Sequence, residues 1–318
     1  MNIIFCADRR VLPGLHVAAY SVLEKMGAGV LSVSFQLFSQ DLTESDASLL
    51  RNTLEGVGKP FSLELRRLDE RSLFGFPKLH GSLAPYYRLL AISQMDVDRL
   101  LYLDSDTLCD LDLSPLQELE MSRYPAAWVT EAPLSGAVDR LTAMHLGNSP
   151  DEPYFNSGVI LVNVLEWKRQ AVSQKALEYI AQNKPLFHDQ SALNVVLSKN
   201  AITLDMRYNT ISNMRKHWPK MSKGIGRTDS LIHFVDYPKP WDLGAELIHP
   251  HYLLWRSVLE KTAIKDFRSW HDTPARKAPR TPKAKIGYQK AIKDKLLFTG
   301  YIKGWIKNVK GIGSPNYR

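Results

Sequence analysis

An apolar segment of strand length, residues 100–103, runs directly into Asp104-Ser105-Asp106. Side chains two positions apart project to the same face of a strand, so the two carboxylates lie side by side. Adjacent carboxylates raise each other's pKa unless a positive charge lies between them. Mg²⁺ or Mn²⁺ meets this requirement, and substrate phosphate oxygens commonly complete its coordination. The segment therefore predicts metal–phosphate chemistry; the alternative is an acidic turn in which Asp106 caps the next element.

The chain before this segment alternates between strand and helix patterns. Strands are predicted over residues 3–7, 30–38 and 61–68, and helices over 13–26, 43–54 and 85–95. Residues 43–46 resemble a capping box at a helix start, with Asp46 in the position of the usual Glu. The alternation predicts an α/β fold with a mostly parallel central sheet and helices on both faces. Such sheets bind ligands at the carboxyl ends of their strands, where Asp104 lies.

The same alternation continues beyond the acidic pair. Further strands are predicted over residues 126–130, 159–164 and 231–235, and helices over 165–182 and 189–197. Residues 273–283 have the Pro-rich composition of a linker.

The positive charge of the chain is concentrated at its end. The 318 residues include 41 Lys or Arg and 33 Asp or Glu. Residues 276–318 hold twelve of the basic residues and one acid, which leaves 29 basic and 32 acidic residues in 1–275. A slightly acidic body argues against a nucleic-acid enzyme, and the basic end indicates a separate electrostatic anchor, so no nucleic-acid partner is expected.

Cysteine content and hydropathy favour a cytoplasmic protein. Cys6 and Cys109 are the only cysteines, so neither a disulfide framework nor a zinc cluster is expected. No apolar run approaches the roughly 18–20 residues that a membrane span needs. The N-terminal residues also lack the basic start and long apolar core of a signal peptide.

Asp8 ends the first predicted strand and so lies at the same sheet edge as Asp104. There it could contact a nucleotide or simply cap the following helix. Arg9 and Arg10 could offer charge to a diphosphate, although a solvated position is favoured.

Two further polar segments carry side chains suited to a polyhydroxyl ligand. Residues 154–159 are predicted to form a turn that leads into a buried strand, where Asn156 and Ser157 could hydrogen-bond such a ligand. The alternative is a purely structural turn with a permissive Gly158. Asp189 and Gln190 open a predicted helix. An N-cap role would explain Asp189 but not Gln190.

His233 ends a predicted strand, and Lys239 follows it between two prolines and before Trp241. Proline restricts the backbone, so Lys239 is presented with reduced freedom, which suits phosphate recognition. A neutral imidazole at His233 suits a third metal ligand and favours Mn²⁺ over Mg²⁺.

Six motifs together resemble the retaining glycosyltransferases of family 8, GT-A-fold enzymes that include bacterial lipopolysaccharide and lipooligosaccharide galactosyl- and glucosyltransferases. They are Ala-Asp at 7–8, Tyr-Arg-Leu at 87–89, Leu-Tyr-Leu-Asp-Ser-Asp at 101–106, Phe-Asn-Ser-Gly-Val at 155–159, Asp-Gln-Ser-Ala-Leu-Asn at 189–194 and His-x₅-Lys-Pro-Trp at 233–241. The resemblance implies a GT-A (Rossmann-like) α/β catalytic domain over residues 1–255. A connecting segment and linker at 256–282 and a basic amphipathic tail at 283–318 would follow.

The resemblance also implies a role for each matched residue. Asp104, Asp106 and His233 would bind Mn²⁺, or alternatively Mg²⁺. Asp189 would hold hydroxyls of the donor sugar, and Gln190 would face the anomeric carbon opposite the leaving group. The remaining contacts to a UDP-hexose donor would come from Ala7, Asp8, Arg88, Asp104, Ser105, Asn156, Ser157 and Lys239. Arg9 and Arg10 depart from the smaller polar residues that family members often carry there.

These implied roles form a coherent reaction scheme. Mn²⁺ and Lys239 would stabilise the negative charge that develops on UDP. Because Gln190 is not a strong nucleophile, transfer from the leaving-group face with retention is favoured. Double displacement through Asp189 is the alternative. The donor would be UDP-glucose or UDP-galactose, and the acceptor a saccharide.

Two other classes of protein compete with this interpretation. A haloacid-dehalogenase-type phosphatase also has an apolar strand followed by Asp-x-Asp-x-Thr, as residues 100–107 do. It commonly needs a downstream pair of adjacent aspartates, and this chain contains no Asp-Asp dipeptide. A sugar-nucleotide-binding protein without catalytic activity is the second alternative.

The tail combines apolar and basic residues at helical spacing. Phe298, Ile302, Trp305 and Val309 share one face, and lysines at 303, 307 and 310 lie on another. A basic amphipathic segment of this kind suits an anionic membrane surface. The expected location is the inner face of the plasma membrane, with a lipid-linked glycan, such as a growing lipopolysaccharide core, as acceptor. The alternative is a helix packed on the body.

Overall fold

The computed structural model describes residues 1–78, 82–133, 139–147, 153–197, 199–212, 229–235, 239–242, 245, 249 and 251–269. The described strands are β1 (Asn2–Cys6), β2 (Val33–Phe38), β3 (Phe61–Arg66), β4 (Arg99–Asp104), β5 (Thr107–Cys109), β6 (Ala126–Pro133), β7 (Pro153–Asn163), β8 (Ala201–Thr203), β9 (Thr210–Ile211) and β10 (Leu231–His233). The described α-helices are α1 (Leu12–Lys25), α2 (Glu44–Glu55), α3 (Ala84–Gln94), α4 (Arg140–His145), α5 (Val164–Arg169), α6 (Val172–Asn183), α7 (His188–Leu197) and α8 (Tyr252–Leu259).

The central sheet has seven strands in the order β3-β2-β1-β4-β7-β6-β8. Strands β3, β2, β1 and β4 are parallel neighbours, whereas β7 is antiparallel to both β4 and β6. Helices α1 and α2 pack on one face, and α3, α5, α6 and α7 pack on the other. The prediction of a mostly parallel sheet with helices on both faces is confirmed.

A second, three-stranded sheet in the order β5-β10-β9 packs beside the first. Its first strand begins just after Asp106, so the acidic pair lies at the junction of the two sheets. In the middle strand, His233 pairs with Thr107 on one side and Ile211 on the other. The small sheet therefore brings His233, distant in sequence, next to the acidic turn.

Local sequence explains how α2 begins. The Thr43 side chain accepts a hydrogen bond from the backbone of Asp46, and the Asp46 side chain accepts one from the backbone of Thr43. The predicted capping box is thus present with Asp in place of Glu. It satisfies two backbone donors that a helix start leaves without intrahelical partners.

Two local predictions were wrong. The predicted turn at residues 154–159 is part of the long strand β7, where the Asn194 side chain bonds both the amide and the carbonyl of Phe155. The predicted helix over 165–182 is two helices, because Ala171 adopts a positive φ of 52° that interrupts the helical hydrogen bonding.

Helix α8 spans residue 255, the predicted end of the catalytic domain, and packs against α1. Trp255, Val258 and Leu259 are buried in one cluster with Val17 of α1 and with Trp241. Within the described residues, no helix is both long and apolar enough to cross a membrane. The proposed linker beyond residue 269 and the tail at 283–318 lie outside the described residues, so the domain boundaries stay predictions.

Replacing Thr43 by Ala should lower the free energy of unfolding by about 1 kcal/mol, because the helix start loses a side-chain acceptor. Urea unfolding followed by circular dichroism measures this difference. Ser45→Ala, at an exposed position in the first turn of the same helix, is the matched control and should be neutral or slightly stabilising. Equal stability of the two variants would contradict the capping role.

Candidate active site

The candidate site lies where the central sheet meets the small sheet. Cys6 pairs with Asp104 across the parallel strands β1 and β4, so Asp8 and Asp104 lie at the same edge. The backbone amide of Phe234 donates to the carbonyl of Asp106 at 2.9 Å, which fixes the end of β10 against the acidic turn. The expected position of these carboxylates at the strand ends is therefore observed.

Asp104, Asp106 and His233 form a compact group, and their nearest ligand atoms lie within 4.8 Å of one another. His233 Nε2 is 3.5 Å from Asp104 Oδ2 and 3.2 Å from Asp106 Oδ1. Asp106 Oδ1 is buried and has no hydrogen-bond partner among the described residues. Two carboxylate oxygens and one imidazole nitrogen facing a common point fit a divalent cation such as Mn²⁺. Within the described residues, no other group of three such side chains is found.

Gly158 of β7 has no side chain, which leaves room for His233 and Asp104 next to the strand. A Cβ atom at residue 158 would lie 2.1 Å from His233 Cε1 and 2.9 Å from Asp104 Oδ2. The proposed turn role of Gly158 is therefore wrong. Glycine is required because the imidazole lies directly against the strand backbone.

The buried guanidinium of Arg88 links the carboxylate of Asp104 to that of Asp189. Arg88 Nη2 donates to Asp104 Oδ1 at 2.9 Å, and Nε lies 3.0 Å from Asp189 Oδ2. Its Nη1 donates to the carbonyl of Ser157, and its plane lies over the Tyr102 ring. Tyr102 also donates to Asp104 Oδ1 at 2.6 Å, which leaves Asp104 Oδ2 facing His233.

Burial and neighbouring charges shift the pKa values of this network in opposite directions. Burial lowers the pKa of Arg88, but Asp104 and Asp189 outweigh it and raise that pKa above its ordinary value. Burial raises the pKa of Asp189 to about 6, against the lowering effect of Arg88. Burial also raises the pKa of Asp106, but the ammonium of Lys239 outweighs this effect and brings that pKa well below its ordinary value. Asp106 is thus ionised and available to a cation at neutral pH.

Gln190 is held in a fixed orientation beside the acidic group. Its Oε1 accepts from the Ser157 amide and from Asn156 Nδ2, each at 3.2 Å. Its Nε2 lies 3.4 Å from the Glu131 carboxylate. Asp189 lies in the first turn of α7, which begins at His188, so the proposed N-cap position is wrong. Its carboxylate instead contacts Arg88 and, at 3.3 Å, the Ser157 hydroxyl.

Lys239 contacts the acidic pair directly. Its Nζ lies 2.7 Å from Asp106 Oδ2 and also donates to the carbonyl of Phe234. Its backbone amide donates to Asp242 Oδ2 at 2.8 Å, which fixes the start of this short segment. Lys239 is 7% exposed, so its charge acts in a poorly hydrated environment.

The start of the chain contributes Ala7 and Asp8. The Ala7 amide donates to the carbonyl of Phe38, and Asp8 caps the short 3₁₀ helix at Arg9–Val11. Asp8 is paired with Arg10 at 2.5 Å, and it accepts from Ser82 at 3.1 Å. The capping role is observed, and a nucleotide contact stays a prediction. Arg9 and Arg10 have exposed side chains, each paired with a carboxylate.

Ser105 is buried between the acidic pair, and its hydroxyl lies 3.4 Å from the carbonyl of Cys6. Its own carbonyl lies 2.7 Å from the position that a Cβ atom at Gly14 would take. The same Cβ would lie 2.4 Å from the Trp241 ring. Gly14 thus allows α1 to approach both the Asp104–Asp106 turn and the segment that carries Lys239.

Three side chains that sequence reasoning missed also contact this group. Tyr102 stands two positions before Asp104, so strand alternation could have revealed it. Glu131 lies one residue beyond the predicted strand over 126–130. Asn209 is 3.1 Å from His233 Nδ1, and no local sequence pattern marks it.

Comparisons with known proteins place the chain in a family. The family model "Glycosyl transferase family 8" matches residues 2–244. A lipopolysaccharide 1,2-glucosyltransferase of Escherichia coli K12 is 32% identical over all of this chain and 92% of its own length. A lipopolysaccharide 1,3-galactosyltransferase of Salmonella typhimurium is 25% identical over 80% of this chain and 77% of its own.

A solved structure shows the same fold. The galactosyltransferase LgtC, crystallised with donor and acceptor sugar analogues, superposes with a TM-score of 0.68 at 22% identity, covering 82% of this chain and 96% of LgtC. The family match favours a glycosyltransferase over the phosphatase alternative. Because the family model spans more than half of the residues, the chain belongs to glycosyl transferase family 8.

Proposed function

We propose that this family 8 glycosyltransferase is a retaining, Mn²⁺-dependent enzyme that transfers glucose or galactose from a UDP-sugar to a saccharide. The group of Asp104, Asp106 and His233 beside Lys239 carries the proposal. Two carboxylates and an imidazole suit Mn²⁺, and the adjacent ammonium suits a phosphate. The names of the lipopolysaccharide glucosyl- and galactosyltransferases among its relatives support a lipopolysaccharide-core-type acceptor.

Asp104, Asp106 and His233 would hold the metal ion, which would supply positive charge to the UDP leaving group. Lys239 contributes a second positive charge. Its ion pair with Asp106 holds the ammonium at the metal-binding carboxylate, 2.7 Å from Oδ2. Because the ammonium is buried, its attraction to a developing phosphate charge is weakly screened.

Asp189 is poorly suited to be a nucleophile, because its carboxylate is already paired with Arg88 and accepts from Ser157. The neighbouring Gln190 carries only a neutral amide, and its oxygen is held by two N–H donors. Both observations favour attack by the acceptor hydroxyl on the leaving-group face. Gln190 would then stabilise the positive charge at the anomeric carbon, and Arg88 would position Asp189 against the donor sugar hydroxyls.

Asp106→Asn should reduce the release of UDP from UDP-glucose or UDP-galactose by roughly 10²-fold or more, because a metal ligand and the partner of Lys239 are lost together. A coupled UDP assay with Mn²⁺ measures the rate. EDTA should abolish the wild-type rate, and Mn²⁺ should restore it.

Asp96→Asn is the control for this experiment, since Asp96 is exposed at the other end of β4. It should behave as wild type. Hydrolysis of a phosphate monoester with Mg²⁺, without turnover of either UDP-hexose, would contradict the proposal and restore the phosphatase alternative.

The reaction should give a product that keeps the donor's anomeric configuration, without a sugar bound to the protein. Proton NMR of the product identifies the configuration. Intact-protein mass spectrometry after incubation with UDP-hexose and Mn²⁺ should show no added hexose. A hexose adduct mapped to Asp189 would instead support double displacement.

We further propose that the tail at 283–318 holds the protein on the inner face of the plasma membrane, near a lipid-linked acceptor. Replacing Lys303, Lys307 and Lys310 by Gln in the full chain should weaken binding to anionic vesicles, since each basic residue near such a surface contributes about 1 kcal/mol. Vesicle co-sedimentation measures binding, and UDP release should be unchanged. Equal binding of the triple variant and wild type would contradict the anchor.

A further inference from the structure

Asn209 connects two parts of the candidate site that come from different sheets. It ends a short 3₁₀ helix at Met206–Asn209, directly before β9, and is 3% exposed. Its side chain bonds His233 of the small sheet and Asn156 of β7 in the central sheet. One amide therefore bridges a proposed metal ligand and a proposed donor-sugar residue.

A backbone hydrogen bond fixes the orientation of this bridge. The Gly158 amide donates to Asn156 Oδ1 at 2.9 Å, so that atom is an acceptor. Asn209 Nδ2 lies 3.0 Å from the same oxygen and must be the donor. The other end of the amide, Asn209 Oδ1, consequently faces His233 Nδ1 at 3.1 Å.

This orientation selects the tautomer of His233. An amide oxygen can only accept, so His233 Nδ1 carries a hydrogen. In the neutral imidazole, Nε2 then presents its lone pair to the carboxylates of Asp104 and Asp106, 3.5 and 3.2 Å away. A lone pair facing two carboxylates is the arrangement that a bound cation requires.

We propose that Asn209 is a positioning residue that holds His233 as the Nδ1–H tautomer, with Nε2 directed at the metal ion, and couples this ligand to Asn156. The proposal rests on the metal site of the proposed function. The imidazole is already confined by Gly158, at whose position a Cβ atom would overlap the ring. Asn209 adds the hydrogen bond that sets which nitrogen is protonated.

Loss of this hydrogen bond should weaken metal binding without removing a ligand. Outer partners of metal-binding histidines typically contribute 10–100-fold to metal affinity. Asn209→Leu has a similar volume but neither accepts from His233 nor donates to Asn156. Asn209→Asp keeps an acceptor for the imidazole, adds a negative charge next to it, and replaces the donor to Asn156 Oδ1 by an oxygen that cannot donate.

The test measures the affinity of the full chain for Mn²⁺ alone, from the electron paramagnetic resonance signal of the free ion. Asn209→Leu should bind Mn²⁺ about 10–100-fold more weakly than wild type, and Asn209→Asp should bind at least as tightly as wild type. In a His233→Ala background, Asn209→Leu should cause no further loss. Raising the Mn²⁺ concentration should restore much of the UDP release of Asn209→Leu but not that of His233→Ala.

Asn163→Leu is the matched control, because Asn163 is also an Asn with structural hydrogen bonds but lies at the opposite end of β7. Measured without metal, in EDTA, this variant should have a lower thermal stability than wild type. Its Mn²⁺ affinity should equal that of wild type. Wild-type affinity in Asn209→Leu, or an equal loss in Asn163→Leu, would overturn the positioning role. Failure of the wild-type protein to bind Mn²⁺ would instead overturn the metal site on which the proposal rests.

Discussion

The site depends on holding Asp104 and Asp106 together in a largely buried turn. Two carboxylates in such a place are unfavourable unless positive groups compensate them. Arg88 pairs with Asp104 at 2.9 Å and Lys239 with Asp106 at 2.7 Å, each from a different part of the chain. The remaining oxygens, Asp104 Oδ2 and Asp106 Oδ1, face His233. Arg88 and Lys239 thus stabilise the acidic pair and leave one carboxylate oxygen of each aspartate directed at His233.

The junction of the two sheets makes this compensation possible. The central sheet supplies Asp104 at the end of β4, with Asp106 in the turn that follows, and the close backbone of Gly158 from β7. The small sheet supplies His233, and the segment after it supplies Lys239. These residues come from distant segments, and packing brings Asp104, Asp106 and His233 into one hydrogen-bonded network with Asn156, Asp189 and Gln190. Among the described residues, Arg88 joins Asp104 to Asp189, and Asn209 joins His233 to Asn156.

Much of this arrangement could be predicted from local pattern. Strand alternation predicted the acidic pair at a sheet edge, and periodicity predicted the first four strands and their helices. Periodicity does not encode strand direction, so the reversed direction of β7 could not be predicted. The break at Ala171 involves a positive φ without a glycine, and therefore left no signal in the sequence. No local pattern specifies contacts between distant segments, such as that of His233 with Asn209 or that of Gln190 with Glu131.

The most direct test of this account is anomalous diffraction from crystals of the protein grown with Mn²⁺ and UDP. The account predicts an anomalous peak within coordination distance of Asp104, Asp106 and His233 Nε2, about 2.0–2.3 Å from each ligand atom. It also predicts the diphosphate between this peak and Lys239. A Mn²⁺ peak elsewhere, or UDP bound without the ion at these three side chains, would contradict it.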